Sequence, residues 1–297
     1  MKKTVSIILI SFLTLIVIGM SVLFVMILNG NIRIDGLKFK LGIKNSYIGE
    51  IAIDEVYENT FDGIDIHATA GSINIYTSKE DNIRLVINNK KKNTIVNTDL
   101  NTLNIDVKAK KCNFFCINPK IAKIDLYLPI NFDKEIKITT EYGDIKIENF
   151  KDANFNIKSN YGDITIYEAN YANLDLDYGD VKIDEVNELV VTTNYGDIKL
   201  GTVNDLTATS DYGDIKVQLV TSSLTIECDC GDVKINTVNL TKDSMIKNNF
   251  GDVKIKSIKR AYIDAKTSVG DVKVKDNDRT SDKTLTIRND CGDIEVN

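Results

Sequence analysis

The dipeptide Gly-Asp, followed by Ile or Val, occurs nine times between residues 143 and 293 of this chain. Its glycines are Gly143, Gly162, Gly179, Gly196, Gly213, Gly231, Gly251, Gly270 and Gly292. Successive glycines are 17 to 22 residues apart. A period near 20 residues is typical of proteins whose repeats stack because no single repeat can bury its own apolar face. The chain is therefore expected to fold as a stack of short coils.

Apolar residues alternate on both sides of each glycine, which we count as position 0. Before Gly213, Leu206 and Ala208 occupy positions −7 and −5, and after it Ile215 and Val217 occupy +2 and +4. Strict alternation predicts strands with one buried face. The change of phase at the glycine predicts a tight corner, where a residue without Cβ is favoured. We predict an all-β fold, a parallel β-solenoid of 17–22-residue coils preceded by one transmembrane helix.

The residue before the glycine is aromatic in six repeats. These residues are Tyr142, Tyr161, Tyr178, Tyr195, Tyr212 and Phe250. Position −1 has the same parity as the apolar positions −7 and −5, so we expect an internal aromatic column beside the corner. The alternative is an exposed aromatic platform for a ligand. By the same parity, Cys228, Cys230 and Cys291 are expected to be small buried apolar residues.

An aspartate follows every corner glycine, and Asp or Asn recurs at −2. Two acidic columns beside a turn could hold Ca²⁺, which prefers several oxygen ligands. The candidate ligands are Asp177, Asp180, Asp197, Asp211, Asp214, Asp229 and Asp232. The spacing lacks the nonapeptide form of Ca²⁺-binding β-rolls, and lysine at +3 supplies opposite charge. We therefore favour turn capping over metal binding and predict no cofactor.

Residues 4–28 contain no charged residue and are mostly aliphatic. As a helix they would measure roughly 37 Å, enough to cross a hydrocarbon core of about 30 Å. No small-residue cleavage pattern follows, so we predict an uncleaved anchor. Lys2 and Lys3 favour a cytoplasmic N-terminus, although four basic residues after the helix compete with them. Those four are Arg33, Lys38, Lys40 and Lys44. We expect a single-pass cell-membrane protein with its repeats outside the cytoplasm.

Four regions follow from these patterns. They are a tip and anchor over 1–28, a basic stalk over 29–45, irregular coils over 46–135 and the regular solenoid over 136–297. Gly71 fits the repeat with Ser72 in place of Asp, so coils are expected before Gly143. The Asn-Lys-rich stretch 88–93 is expected to be a solvated hairpin tip. Cys112 and Cys116 lie in a predicted loop, and whether they pair is left open.

Several sequence runs resemble the bacterial "putative adhesin" β-strand-repeat family, a family of domains of unknown function. They are Ile124-Asp125-Leu126-Tyr127-Leu128-Pro129, Ile136-Lys137-Ile138 and the repeated Gly-Asp-Ile-Lys-Ile. The resemblance covers roughly residues 50–297. It implies a membrane-anchored or envelope β-solenoid, and it brings no catalytic residues.

No catalytic pattern is evident. His67 is the only histidine and is predicted to face solvent, and no serine lies in a nucleophile elbow. The net charge of −6 is spread over finely alternating acidic and basic residues, which argues against nucleic acid as a partner. We predict a non-enzymatic adhesion or envelope-sensing module with a protein or envelope-polymer partner. A cytoplasm-facing scaffold for a membrane complex is the alternative, and a carbohydrate-active β-helix enzyme is a weaker one.

The last repeat, Cys291 to Asn297, ends on a strand with no capping element after it. An open solenoid end presents unpaired backbone groups that invite another strand. Self-association through this C-terminal coil is therefore predicted.

Overall fold

The computed structural model describes residues 33–35, 38–40, 46–47, 49–99, 101–108, 120–259, 261–275 and 277–297. The chain forms two compact units, Met1–Ser46 with Cys112–Lys120, and Tyr47–Lys111 with Ile121–Asn297. The described part of the first unit contains an antiparallel pair, β1 (Arg33–Asp35) and β2 (Lys38–Lys40). Strands thus occur within the segment predicted to be a stalk.

The remaining elements among the described residues are twenty-one strands and a single turn of 3-10 helix, Lys91–Asn93. The strands are β3 (Ser46–Tyr47), β4 (Ile51–Tyr57), β5 (Gly63–Ala68), β6 (Gly71–Ser78), β7 (Ile83–Asn88), β8 (Thr94–Asp99), β9 (Thr102–Val107), β10 (Lys120–Pro129), β11 (Glu135–Tyr142), β12 (Ile145–Tyr161), β13 (Ile164–Tyr178), β14 (Val181–Tyr195), β15 (Ile198–Tyr212), β16 (Ile215–Cys230), β17 (Val233–Asn239), β18 (Ser244–Phe250), β19 (Val253–Lys259), β20 (Tyr262–Val269), β21 (Val272–Val274), β22 (Thr284–Cys291) and β23 (Ile294–Val296).

The second unit is a parallel β-solenoid, which confirms the predicted fold class. Strands β12 to β16 stack in sequence order and in parallel, with equivalent repeat positions opposite each other. Tyr178, for example, pairs with Tyr195, which pairs with Tyr212. Residues at the same repeat position therefore lie above one another in successive coils, because each coil has its corner at the same repeat position.

The core is a set of inward columns, six residues to a regular coil. In the coil around Gly196 to Gly213 they are Ile198, Leu200, Val203, Leu206, Ala208 and Ser210, each at most 3% exposed. Positions +2, +4, +7, −7, −5 and −3 therefore point inward. Continuous burial of aliphatic columns is the main force that holds the coils together.

The N-terminal end of the stack is closed by antiparallel strands. A coil does surround Gly71, as predicted, since Ile64 pairs with Ile136 and Ile73 with Ile145. Beyond it lie β9 and β10. β7 then runs antiparallel to β10 and β4, and β8 antiparallel to β9. We call β4, β7 and β8 the N-terminal cap.

The C-terminal coils do not stack in sequence order. β22 lies between β18 and β20, and β23 lies between β19 and β21. The last repeat is thus inserted one place from the end, and β20 with β21 forms the end coil. The prediction that the C-terminal coil is an open end was wrong. The spacing from Gly270 to Gly292 is 22 residues, and it includes the connection from the end of β21 at Val274 to the start of β22 at Thr284.

The predicted anchor, residues 4–28, lies outside the described residues, as do Cys112 and Cys116. In the described parts of the chain, helices with the length and apolar character of a membrane span are absent.

Candidate binding face on the tyrosine column

Each corner is built around a glycine that no other residue can replace without strain. Gly196 has a φ of +149°, and seven other corner glycines have values from +135° to +145°. A Cβ on Gly196 would overlap the carbonyl oxygen of Gly179 in the preceding coil. The predicted corners are confirmed at all nine Gly-Asp positions, because an added Cβ meets the glycine of the adjacent coil at each one.

The aromatic residues at −1 point outward, which corrects the prediction of an internal column. The five tyrosines are 43–51% exposed and Phe250 is 58% exposed. The alternation that holds through −7, −5 and −3 ends there. Ser210 at −3 is buried, whereas Asp211 and Tyr212 both face solvent. Because two consecutive residues before the glycine face solvent, counting parity up to −1 assigned the tyrosines to the wrong side.

The tyrosines form a regular stack along the outside of the corner. Ring centroids from Tyr142 to Tyr212 are 4.8–5.0 Å apart, and adjacent planes differ by 3–4°. Because the rings cover one another's faces, the column presents ring edges and phenolic hydroxyls to solvent. Only the two terminal rings have a face that no tyrosine covers. The arrangement suits contact with a surface or an extended chain.

Three cysteines were predicted to be inward, and only one is. Cys228 at −3 is buried, and burial raises the pKa of its thiol to about 12. Cys230 and Cys291 are half-buried members of the outer column, which continues from Tyr212 through Cys230, Phe250 and Cys291 to Val269. Cys230 and Cys291 were assigned to the inside for the same reason as the tyrosines, because parity was counted up to position −1.

The aspartates at +1 form a hydrogen-bonded ladder. Oδ1 of every member except Asp271, which is at the end of the stack, accepts the backbone N–H of the next aspartate at 2.8–3.1 Å. The ladder members are Asp144, Asp163, Asp180, Asp197, Asp214, Asp232, Asp252, Asp293 and Asp271. Each carboxylate therefore satisfies an amide that the corner leaves without a strand partner.

Lysines at +3 neutralise part of this ladder. Lys216 Nζ lies 2.8 Å from Asp214 Oδ2, and Lys234 Nζ lies 2.7 Å from Asp232 Oδ2. Two hydrogen bonds hold the pKa of each of these two carboxyls below its usual value. The bond from the lysine has the larger effect, and the bond from the backbone amide of the next coil has the smaller one. The charges are thus engaged within the solenoid.

Six of the seven aspartates named as possible Ca²⁺ ligands accept a hydrogen bond from an amide or a lysine, and the seventh, Asp211, is exposed to solvent. Asp177 accepts Asn194 Nδ2 at 3.2 Å, and Asp229 accepts Asn249 Nδ2 at 2.7 Å. Across the described residues there is no group of three or more His, Cys, Asp or Glu side chains placed to hold a metal ion. That turn capping is favoured over calcium binding stays a prediction, which calcium titration would decide.

An asparagine ladder on the opposite bend was not predicted. Asn170, Asn187 and Asn204 at +8 are linked by amide hydrogen bonds, from Asn154 at one end to Thr221 at the other, at 2.9–3.4 Å. The 17-residue recurrence of asparagine was visible in the sequence.

A polar cluster near the N-terminal cap was also missed. Asp125 is only 5% exposed and accepts hydrogen bonds from Asn74 at 2.9 Å and Lys123 at 2.6 Å. Beside it Tyr76 and Tyr127 stack at 5.0 Å. No periodic signal marks these residues, because they lie where the repeat is least regular. His67 faces solvent as predicted, with Nε2 3.3 Å from Asp65 Oδ1.

Solved structures similar to this chain include three from Bacteroides and Parabacteroides species. A "putative adhesin" from Bacteroides fragilis is 18% identical, covers 82% of this chain and 96% of its own, and has a TM-score of 0.40. A "putative adhesin" from Parabacteroides merdae is 12% identical, with coverages of 84% and 98% and a TM-score of 0.36. A "Putative lipid binding protein" from Parabacteroides distasonis is 15% identical, covers 81% of this chain and 96% of its own, and has a TM-score of 0.41. These similarities are too distant to transfer a ligand.

No protein of curated function matches the chain. The sequence profile of the Toastrack DUF4097 family matches residues 61–220 and 184–297, which together span the whole regular solenoid. The match agrees with the resemblance seen in the repeats and with the stacked-coil architecture. This chain therefore belongs to the Toastrack DUF4097 family.

Proposed function

We propose that this protein is a non-enzymatic interaction module anchored in the cell membrane by residues 4–28. Its solenoid lies outside the cytoplasm and contacts an envelope polymer or protein through the face that carries the tyrosine column. Adhesion to the cell envelope, or sensing of its state, is the role that such a module would perform.

The outward tyrosine column is the observation that carries this proposal. Five rings between Tyr142 and Tyr212 are 43–51% exposed, so a continuous strip of aromatic surface remains in water. Aromatic residues are enriched where proteins contact partners, and large exposed apolar strips on soluble surfaces commonly mark such contacts. Mutual stacking already restricts the side chains, so binding would cost little further conformational entropy.

The paired charges support a binding role over a catalytic one. Acidic side chains along the corner accept backbone amides or lysine ammonium groups, as described for Asp214 and Asp232. A glycosidase needs two carboxyl groups that are free to donate a proton and to attack or activate water. In this corner the ladder engages one oxygen of each carboxylate, which favours a structural task.

Binding to cell walls tests the proposal. Full-length protein in detergent would be sedimented with isolated cell walls, which detergent leaves intact. Replacing Tyr161, Tyr178 and Tyr195 together by Ser removes the centre of the column. A triple Asn170→Ser, Asn187→Ser, Asn204→Ser variant on the opposite bend is the matched control. We expect at least a tenfold loss of affinity for the tyrosine variant alone. Equal binding by wild type and a folded tyrosine variant would refute the proposed face.

A cytoplasm-facing scaffold is the second candidate, because Arg33, Lys38, Lys40 and Lys44 follow the predicted span. By the positive-inside rule those residues favour the opposite orientation. A phosphatase that is active only outside the cytoplasm, fused after Asn297, distinguishes the two orientations of the solenoid. We expect the fused phosphatase to be active. An inactive phosphatase, together with an active cytoplasmic reporter at the same site, would establish the scaffold orientation instead.

A further inference from the structure

The turn between β7 and β8 is a rigid corner of the N-terminal cap. β7 pairs with β4 and β10, whereas β8 pairs with β9, so the two strands do not form the predicted hairpin. Asn89 at the start of the turn is fully buried. Its amide group donates to Asn93 O, Thr94 Oγ1 and Lys108 O at 3.1–3.4 Å. Its backbone N–H donates to Glu50 O at 3.0 Å. These bonds fix the turn in one conformation.

Three consecutive lysines project from this fixed turn. Lys90, Lys91 and Lys92 are all exposed, and within the described residues none of them forms an ion pair. The apolar residues that flank the turn are also exposed, Ile51 by 59% and Ile95 by 52%. Ile51 is opposite Asn88 in the β4–β7 pair, and Ile95 is the second residue of β8, just after the turn. We call Ile51, Lys90, Lys91, Lys92 and Ile95 the basic corner.

Acidic neighbours do not cancel this charge. Asp106 is paired with Lys108 at 3.4 Å, and Asp54 with Arg84 at 3.1 Å. Glu50 is the exposed acid that precedes Ile51. The corner therefore keeps net positive charge next to two exposed aliphatic side chains. Lysine rows beside aliphatic residues match the interfacial region of an anionic bilayer, where headgroups attract ammonium groups and acyl chains accept apolar side chains.

The chain itself keeps the cap near a bilayer. Eighteen residues, 29–46, separate the predicted span from Tyr47, where the solenoid unit begins. Fully extended, they would reach at most about 60 Å. The cap is at the end of the stack that this linker enters, and β20 with β21 forms the other end. Because the linker keeps the cap at a high effective concentration near the membrane surface, a modest attraction between the cap and the lipids is enough for them to bind.

We propose that the basic corner docks the N-terminal cap on anionic lipid headgroups, with Lys90, Lys91 and Lys92 contacting phosphate groups and Ile51 and Ile95 entering the interface. This inference rests on the proposed membrane anchor. The contact orients the solenoid with its end coil away from the bilayer, so that the tyrosine column extends into the envelope.

Tryptophan fluorescence provides the test, because the chain has no natural tryptophan. Full-length Ile95→Trp protein would be reconstituted into phosphatidylglycerol vesicles whose acyl chains are brominated near the headgroup. Val269→Trp in the end coil, at a position 66% exposed, is the matched control. We expect the tryptophan at position 95 to be quenched at least twofold relative to detergent and its emission to shift to the blue. The tryptophan at 269 should show neither change.

Charge reversal at all three lysines, Lys90→Glu, Lys91→Glu and Lys92→Glu, in the Ile95→Trp background should abolish the quenching. Phosphatidylcholine vesicles should give the same loss. If quenching persists in either case, headgroup charge is not what is recognised. If Ile95→Trp does not fold, Ile51→Trp replaces it as reporter.

Flotation of the vesicles separates this inference from the anchor on which it rests. Protein that does not float with vesicles refutes the anchor. Protein that floats while the tryptophan at 95 fluoresces as in detergent refutes the docking and leaves the anchor in place. In that case a protein partner would become the occupant of the basic corner.

Discussion

At Gly196 the backbone has a φ of +149°, a conformation that residues with a Cβ rarely adopt. An alanine there would also overlap Gly179 O, so neighbouring coils would have to separate. We expect Gly196→Ala to lower the free energy of unfolding by about 3 kcal/mol or more, from backbone strain plus overpacking. Urea unfolding followed by far-UV circular dichroism measures the change.

Gly49→Ala is the control for this substitution, since a Cβ at Gly49 meets nothing within 4 Å. It should alter stability by less than about 0.5 kcal/mol, as for other surface changes. Similar losses for Gly49→Ala and Gly196→Ala would show that the corner does not depend on the missing Cβ.

A buried hydroxyl column lies behind the corner at −3. In the described structure Thr140, Ser159, Thr193 and Ser210 have hydroxyl oxygens without a hydrogen-bond partner, and each is 1% exposed. An unsatisfied buried hydroxyl costs about 1–3 kcal/mol. Thr193→Val keeps the shape and removes that cost, so we expect a gain of about 1 kcal/mol in the free energy of unfolding. A loss of that size in the same urea assay would mean that the hydroxyl is hydrogen-bonded.

The sequence could place the glycines and not the tyrosines. Glycine before aspartate, repeated every 17 to 22 residues where the strand phase changes, predicts a tight corner, and an added Cβ would overlap the adjacent coil at each of the nine positions. The side of Tyr212 depended on extrapolating strand parity to the residue next to the corner, where Asp211 and Tyr212 both face solvent. One signal was available. Position −3 carries Thr, Ser or Cys in several coils. Such small inward residues indicate that the interior beside the corner is too narrow for an aromatic ring.

Among the elements, β23 is the most informative, because it is the end of the sequence and not the end of the stack. Ile294 is 1% exposed and pairs with Val253 on one side and Val272 on the other. Ile294→Asp would bury a charge without a partner, and we expect a loss of about 4 kcal/mol. Denaturant unfolding of the full chain measures it.

Val272→Asp is the matched change in the end coil, where the side chain is 42% exposed. Its cost should be below about 1 kcal/mol, because the new carboxylate stays hydrated. The reverse order of the two effects would mean that the last repeat forms the open end after all.

The order of these coils was not readable from the repeats. Every coil carries the same Gly-Asp phrase with apolar residues at +2 and +4, so each can stack on any other with similar contacts. Only the longer spacing between Gly270 and Gly292 hinted at a detour. The antiparallel cap was equally hidden, since β7 and β8 alternate like parallel strands and lack a glycine corner.

At the scale of the whole solenoid, the carboxylate ladder makes stability depend on pH. Hydrogen bonds and lysine pairs lower the pKa of Asp214 and of Asp232, and Ser223 is the first cause of the lowered pKa of Asp205. Because the unfolded chain binds protons at a higher pH, near 4, than the folded one, folding is favoured above that pH. The contribution is lost as pH falls from about 4 through the folded values.

We therefore expect the melting temperature to be nearly constant from pH 8 to 5 and to fall steeply below pH 4. The double variant Asp214→Asn, Asp232→Asn tests the cause. Each asparagine keeps an oxygen that can accept the amide of the next coil and loses the lysine pair. The variant should melt lower than wild type at pH 7 and approach it at pH 3, when both aspartates would be protonated. Parallel melting curves across the whole pH range would show that these carboxylates do not link protonation to folding, and that the ladder acts through its amide hydrogen bonds alone.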